Sequence, residues 1–382
     1  MPLADPSPRV SAASSPKPPA RSWLHRTGYR VRNVVWLLAR PVRRARRERV
    51  LVIQPYRGFG SSTRLFLMGR VLRQPGTVVV RDRFARDLLD VGRRLFRRGV
   101  PGMIVDARLG DAGAEGVTDR DGYFCIDLAS TCSEPAGQPG WQSVQLSLRA
   151  EASTRAVARV YVHAPSCRCL VISDIDDTVV ETGVANRLVM LWRLFFTGPA
   201  SRLPVPGLAA LLRGLHRGPE GTDRNPLVFV SRAPWTIYET LDAFFRLQRL
   251  PRDAILFLRE WGVRWYHPFA RHDPEHKTEL IRQLLRVATD PPVVLIGDSG
   301  QRDAEIYAGI VAEFPGRVAA VLIRDLARSS DRQRAIRSLD DQLALAGTKL
   351  VLTSSSTAMA DAAFELGLVP AATVEQVRAS LA

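Results

Sequence analysis

With 382 residues, 46% hydrophobic and 24% charged, the chain has room for two domains and the composition of globular protein, which excludes collagen-like or wholly disordered classes. The net charge of +16 is unevenly spread: residues 1–49 hold twelve Lys/Arg against Asp5 and Glu48, so the rest of the chain is only mildly basic. Four cysteines, Cys125, Cys132, Cys167 and Cys169, are too few for a disulfide scaffold, and no apolar run reaches the ~18 residues of a membrane span.

Residues 1–20 are rich in Pro, Ser and Ala and read as disordered. Residues 21–49 interleave ten arginines with Trp23, Leu24, Tyr29, Val31, Val34, Trp36 and Leu38. Such a basic, partly amphipathic arm suits contact with an anionic membrane surface. A solvated arm and a nucleic-acid tail are the alternatives, but no base-reading module follows, so no specific nucleic acid is expected. The absence of an evident signal peptide points to a cytoplasmic protein with peripheral membrane contact; an Arg-rich, acid-poor start also suits an organelle transit peptide.

Residues 50–167 read as mostly β. Val50–Ile53, Arg64–Met68, Met103–Ala107, Tyr123–Ile126, Val144–Leu148 and Ala156–Val162 are strand-like runs, with Asp121-Gly122 as turn chemistry. A helical pattern over Arg83–Arg98 interrupts them. The expectation is a small antiparallel β-sandwich of Ig-like or transthyretin-like type. Cys167-Arg-Cys169 lacks the second pair that a four-ligand zinc site requires, so ordinary buried thiols are the simpler reading.

Residues 168–382 alternate strand and helix. The strands are Leu170–Ser173, Leu227–Val230, Ala254–Leu258, Val293–Ile296, Val318–Ile323 and Leu350–Leu352; helices are expected over Trp235–Leu247, Glu275–Val287 and Ser355–Leu366, the last stopped by Gly367. Alternation predicts an α/β domain with a doubly wound, Rossmann-like parallel sheet. Ligands bind at the carboxyl edge of such sheets, and there the polar residues gather.

The first strand runs into Asp174-Ile-Asp-Asp-Thr178. Alternation sets Asp174 and Asp176 on one side of the chain. Two carboxylates so placed bind a divalent cation, divide into nucleophile and proton shuttle, or form a solvated turn. Ser231 closes the second strand, and Asp298 and Asp303 follow the fourth. Of 54 Lys/Arg residues only Lys17, Lys277 and Lys349 are lysine, so Lys277 is isolated in a long arginine-only stretch. A compact ammonium at that position suits a site needing a point charge rather than a fork.

Phosphoryl transfer uses this set: a carboxylate nucleophile, a second carboxylate to move protons, and cations on the phosphate oxygens. The motifs Ser173-Asp-Ile-Asp-Asp-Thr-Val179, Val230-Ser-Arg-Ala-Pro-Trp235, His276-Lys277 and Gly297-Asp-Ser-Gly-Gln-Arg-Asp-Ala-Glu-Ile-Tyr307 resemble, in order, those of the haloacid dehalogenase superfamily. More narrowly they resemble the phosphatidate phosphatases of the fungal actin-patch type and their bacterial relatives. Pro55-Tyr-Arg-Gly58 and Thr118–Phe124 resemble that family's preceding β domain, so the resemblance spans about residues 50–370 and leaves out the arm. It implies Asp174 as nucleophile, Asp176 as general acid/base, Thr178 orienting Asp176, and Ser231 and Lys277 on the phosphoryl group. It further implies Mg²⁺ held by Asp174, Asp176 and Asp298 with Asp303 in support. Arg232-Ala233 and Ala304 depart from the common pattern and bear on substrate preference.

Only 57 positions separate Asp174 from Ser231 and 46 separate Ser231 from Lys277, too few for a large cap domain. An open site favours a bulky or interface-bound substrate. Leu188–Phe196 is an apolar piece that reads either as a lid touching acyl chains or as a helix buried against the sandwich. The expected reaction is Mg²⁺-dependent hydrolysis of phosphatidate or a related lipid phosphate to diacylglycerol at a membrane surface. The alternatives are a soluble phosphomonoester or phosphoprotein as substrate, and a non-catalytic binding scaffold.

Overall fold

The computed structural model describes residues 50–74, 99–129, 140–175, 178, 205–231, 238–251, 253–258, 275–326 and 329–381. The basic arm, the expected helix over residues 83–98, the apolar piece 188–196, Cys132, Trp235 and Asp176 lie outside these residues.

Eight strands form the first sheet: β1 (Val50–Pro55), β2 (Gly58–Gly60), β3 (Arg64–Gln74), β4 (Ile104–Leu109), β5 (Ala112–Val117), β6 (Tyr123–Ala129), β7 (Gly140–Leu148) and β8 (Glu151–Val162). Their order is β1-β3-β2-β8-β7-β4-β5, with β6 on the other side of β3. Every pairing is antiparallel except β2 with β8. The sequence suggested a sandwich of facing sheets. All eight strands share one hydrogen-bonded sheet, because β2 joins β3 to β8. The sheet folds over so that β5 meets β6: a Cβ at Gly116 would stand 2.8 Å from the Cys125 carbonyl oxygen. The Asp121-Gly122 turn is imposed by contact as well as by φ. Gly122 has φ +83°, and a Cβ there would lie 2.6 Å from the Val100 nitrogen.

β3 is buried on both faces from Leu65 to Leu72. Along β3, Leu65 and Leu67 point into a core completed by Phe124, Ile126, Val144 and Leu146. The alternate residues, Phe66 and Met68, enter a larger core shared with the rest of the chain. A run apolar on both sides, Leu65-Phe-Leu-Met68, is the sequence consequence.

The second sheet has six strands: β9 (Leu170–Ser173), β10 (Leu227–Ser231), β11 (Ile255–Leu258), β12 (Val293–Asp298), β13 (Val318–Arg324) and β14 (Lys349–Thr353). Their order is β11-β10-β9-β12-β13-β14, and every adjacent pair is parallel. β9 to β12 are buried at every residue, as fits a sheet covered on both faces. Among the described residues the helices of this part are α1 (Leu208–Arg217), α2 (Tyr238–Leu247), α3 (Glu275–Val287), α4 (Asp303–Glu313), α5 (Ser330–Arg337), α6 (Asp340–Leu345), α7 (Ser356–Glu365) and α8 (Ala371–Ala379). Ser355 caps α7 by accepting from the Ala358 N–H, and Gly367 follows at φ +67°. The described strands therefore give a general α/β architecture with a parallel sheet. The order of addition reverses beside β9: β10 and β11 extend to one side, β12 to β14 to the other. The crevice at the carboxyl ends of β9 and β12 is where such sheets bind ligands.

Both sheets belong to one compact unit, Arg49–Ala382. Phe66 of β3 packs on Phe257 of β11 at 5.6 Å between ring centres, and Tyr56 on Tyr238 of α2 at 5.8 Å. Polar ties cross the same seam. Arg57 donates to Asp242 of α2 at 3.0 Å, and Gln283 of α3 to Asp127 of β6 at 3.0 Å. The first sheet thus braces the helix that follows Ser231 and the helix that carries Lys277. Among the described residues no helix is long and apolar enough to cross a membrane.

Candidate active site

Four strand and helix ends converge at the crevice. Asp174 follows β9, its N–H held by the Ile296 carbonyl at 2.8 Å. Lys277 is the third residue of α3, Asp298 ends β12 and Asp303 begins α4. All four are buried, with at most 2% of their surface exposed. Groups this charged are buried only when paired, coordinated or neutralised.

Lys277 is the centre of the pairing. Its ammonium donates to Asp174 Oδ1 at 2.8 Å and to Asp303 Oδ1 at 2.6 Å, and lies 5.5 Å from the centre of the Tyr307 ring. Burial works to strip the proton from a lysine, but Asp174 and Asp303 more than reverse it, and Lys277 is held well above the ordinary lysine range. It is therefore a fixed positive charge.

Asp303 uses its other oxygen, Oδ2, to accept from the Asp298 N–H at 3.2 Å. Gly297 makes this possible, since a Cβ there would stand 2.5 Å from Asp303 Oδ2 and 2.9 Å from the Tyr307 ring. Asp298 points its Oδ1 back to its own loop, accepting from Gly300 N–H at 2.6 Å and Gln301 N–H at 2.9 Å. Its Oδ2 is buried and has no hydrogen-bond partner among the described residues. Burial, and then the charge of Asp303, push the Asp298 carboxyl up to about 7; the Gln301 N–H, Lys277 and the Gly300 N–H pull the other way without cancelling this.

A metal ion fits these residues. One carboxylate oxygen each from Asp174, Asp298 and Asp303 lies within 4.8 Å of the others. The donors are all oxygen, as a hard divalent cation requires, and the orphaned Asp298 Oδ2 lacks the partner that a cation would be. Both oxygens of Asp303 are already engaged, by Lys277 and by Asp298 N–H, whereas Asp298 Oδ2 is not, so Asp298 offers the freer atom. Cys167 and Cys169 form no disulfide, and Cys167 Sγ is hydrogen-bonded to His163 Nδ1 at 3.3 Å. Among the described residues the acidic trio is the group of three ligating side chains close enough to share an ion.

Of the remaining residues singled out from sequence, Thr178 is fully buried and its hydroxyl has no partner among the described residues. Ser231 is buried at the end of β10; Phe229 pairs with Ser173, so Ser231 lies level with the exit of β9. Asp176, between Asp174 and Thr178, lies outside the described residues.

Sequence reasoning missed two contributors. Gln301 stands in the quoted motif without an assigned role, yet its side-chain amide sits 3.5 Å from Asp174 Oδ2. Arg332, on α5, grips the loop between Asp298 and Asp303 from outside. An arginine in a chain with 51 of them carries no sequence signal.

Residues 169–325 match the family model described as the catalytic domain of the phosphatidate phosphatase APP1. The chain is also similar to an uncharacterized protein of Schizosaccharomyces pombe, 32% identical over 158 residues, which cover 41% of this chain and 25% of that protein. It is 26% identical over 153 residues to phosphatidate phosphatase APP1 of Saccharomyces cerevisiae, covering 40% of this chain and 25% of that one. The aligned stretch thus spans about a quarter of the length of these relatives. Asp174, Thr178, Ser231, Lys277, Asp298 and Asp303 all fall inside the family match.

Proposed function

We propose that this protein is a Mg²⁺-dependent phosphatase of haloacid dehalogenase type that hydrolyses phosphatidate, or a related lipid phosphate, through an aspartyl-phosphate on Asp174. The observation that carries this is the Lys277 bridge: a buried nucleophile candidate fixed at one oxygen by an ammonium that is itself anchored to Asp303. The family match and the similarity to the phosphatidate phosphatase of Saccharomyces cerevisiae support the lipid substrate.

Each residue then has a task. Asp174, immobilised at Oδ1, presents Oδ2 to the phosphorus. A new bond forms between that oxygen and phosphorus as the ester P–O bond breaks. Asp176, assigned from the motif, donates the proton that the departing alcohol needs, and then takes one from the water that hydrolyses the acyl phosphate. Lys277 and the Ser231 hydroxyl hold phosphoryl oxygens, Lys277 supplying a charge that burial makes strong. Asp174 and Asp298 would hold the cation, with Asp303 behind them. When bound, Mg²⁺ neutralises the repulsion between carboxylate and phosphate. Interfacial binding through the Arg-rich residues 21–49 fits a lipid substrate and gives the protein a peripheral place on a cytoplasmic membrane face.

Phosphate release tests the reading. The purified chain is offered phosphatidate in anionic vesicles, lysophosphatidate and soluble monoesters, each with Mg²⁺ and with EDTA. The expected result is cation-dependent release that is fastest from vesicles and yields diacylglycerol. Release from soluble esters alone moves the substrate to the small-molecule class. No release from any substrate, with Mg²⁺ bound, leaves a scaffold and sinks the proposal.

A further inference from the structure

We infer that Arg332 is a positioning residue for the cation site, holding the Asp298–Asp303 loop in its ligating form. The inference rests on the proposed cation-dependent function, but the residue lies beyond the family match, which ends at residue 325.

The guanidinium of Arg332 closes around the loop. Nε donates to the Ser299 carbonyl at 2.8 Å and Nη2 to the Gln301 carbonyl at 2.7 Å. Nη1 and Nη2 also pair with the two carboxylate oxygens of Glu305, the Nη2 contact at 3.0 Å. One planar fork thus ties together the short loop that links Asp298 to the first turn of α4. Those carbonyls belong to the residues on either side of Gly300, whose N–H holds Asp298 Oδ1 together with that of Gln301. The Ser299 carbonyl and the Gly300 N–H share one peptide plane, so pulling that carbonyl outward turns that amide toward Asp298 Oδ1, and the Arg332 and Asp298 bonds define one loop conformation.

The clamp is itself anchored. Ser329 caps α5 by accepting from the Arg332 N–H, and the neighbouring Gln333 donates to Asp325 Oδ2 at 2.5 Å. Asp325 Oδ1 in turn meets the Ser299 hydroxyl at 3.3 Å. Arg332 is only partly exposed, with 23% of its side chain accessible. A lysine could reach one of these acceptors but not all of them, because its three donors radiate from a single atom. Outer residues that orient ligands commonly change metal affinity by about 10–100-fold when removed.

The test is Mg²⁺ and Mn²⁺ binding to the full chain by calorimetry, with the unfolding midpoint of the cation-free protein measured alongside. Arg332→Ala and Arg332→Lys should each weaken cation binding by about 10-fold or more. In turnover, the Mg²⁺ concentration for half-maximal rate should rise by the same factor, with the rate at saturating Mg²⁺ little changed. Arg378→Ala, which removes a surface ion pair with Asp361, should leave cation affinity as in the wild type. If Arg332→Ala fails to fold, Arg332→Lys decides. Wild-type cation affinity in a folded Arg332→Lys overturns the inference while leaving the proposed function intact. No cation binding by the wild type overturns both.

Discussion

The two sheets treat charge in opposite ways. Among the described residues of the eight-stranded sheet the ion pairs stay at the surface: Arg64 with Asp127, and Arg149 with Asp106 and Glu115. Its core of Leu65, Phe124, Ile126 and Val144 is apolar. The six-stranded sheet buries Lys277, Asp174, Asp298 and Asp303 together at one edge and leaves Asp298 Oδ2 without a partner among the described residues. Desolvating four charges is costly, and stability alone is better served by apolar residues of similar volume. The difference sets the six-stranded sheet apart as the one that carries the candidate site. The first sheet contributes by bracing, through Arg57, Tyr56 and Phe66, the α/β unit that holds the site.

The largest expected effect follows from replacing the buried ammonium. Lys277→Arg should lower turnover by at least about 100-fold, since a fork cannot reproduce a point charge between Asp174 and Asp303. Steady-state kinetics at saturating Mg²⁺ would show it, and wild-type turnover would remove Lys277 from the mechanism. Lys277→Met should in addition destabilise the fold by about 3–5 kcal/mol, because two buried carboxylates lose their partner; denaturant unfolding measures this.

Gly297→Ala comes next. Its Cβ would displace Asp303 or Tyr307, so activity should fall sharply and stability by about 1–3 kcal/mol. An unchanged unfolding midpoint would show that the loop yields freely.

A smaller effect concerns pH. The Asp298 carboxyl titrates near 7 in the fold and near the usual carboxylate value when unfolded. The folded state thus binds this proton more tightly, and ionising Asp298 costs stability that is lost as pH rises from about 4 to 7. A divalent cation offsets that cost only when Asp298 is ionised. The rise in unfolding temperature on adding Mg²⁺ should therefore be larger at pH 8 than at pH 5.5, and an equal rise at both would contradict the assignment of Asp298.

The smallest effect lies in the other sheet. Arg64→Ala removes an exposed pair with Asp127 and should change stability by less than about 1 kcal/mol with turnover unaltered. A large loss of activity there would mean that the two sheets are coupled more tightly than the seam contacts imply.

Much of this arrangement was legible in the sequence because strand exits in a parallel sheet advertise themselves: an apolar run such as Leu170–Ile172 or Val293–Ile296 ending in Asp or Ser. The isolation of Lys277 among arginines drew attention to the residue that proves central to the charge pairing. The strands that escaped notice have little apolar side chain to show. β2 is Gly58-Phe-Gly60, and β5 is Ala112-Gly-Ala-Glu-Gly-Val117. Both are held by their neighbours, β5 through a two-residue turn at Gly110-Asp111 with Gly110 at φ +58°. The contact of Lys277 with Asp303 as well as Asp174, and the reach of Arg332 across to Ser299 and Gln301, are tertiary facts. Nothing in local spacing encodes them.

The central claim is that Asp174 attacks phosphorus. Rapid mixing with phosphatidate vesicles and Mg²⁺, quenching in acid, and peptide mass spectrometry test it most directly. A phosphoryl adduct on the peptide containing Asp174, assigned to that residue and absent with Asp174→Asn, is the expected result. Turnover with the adduct on another residue, or turnover that survives Asp174→Asn, would contradict it.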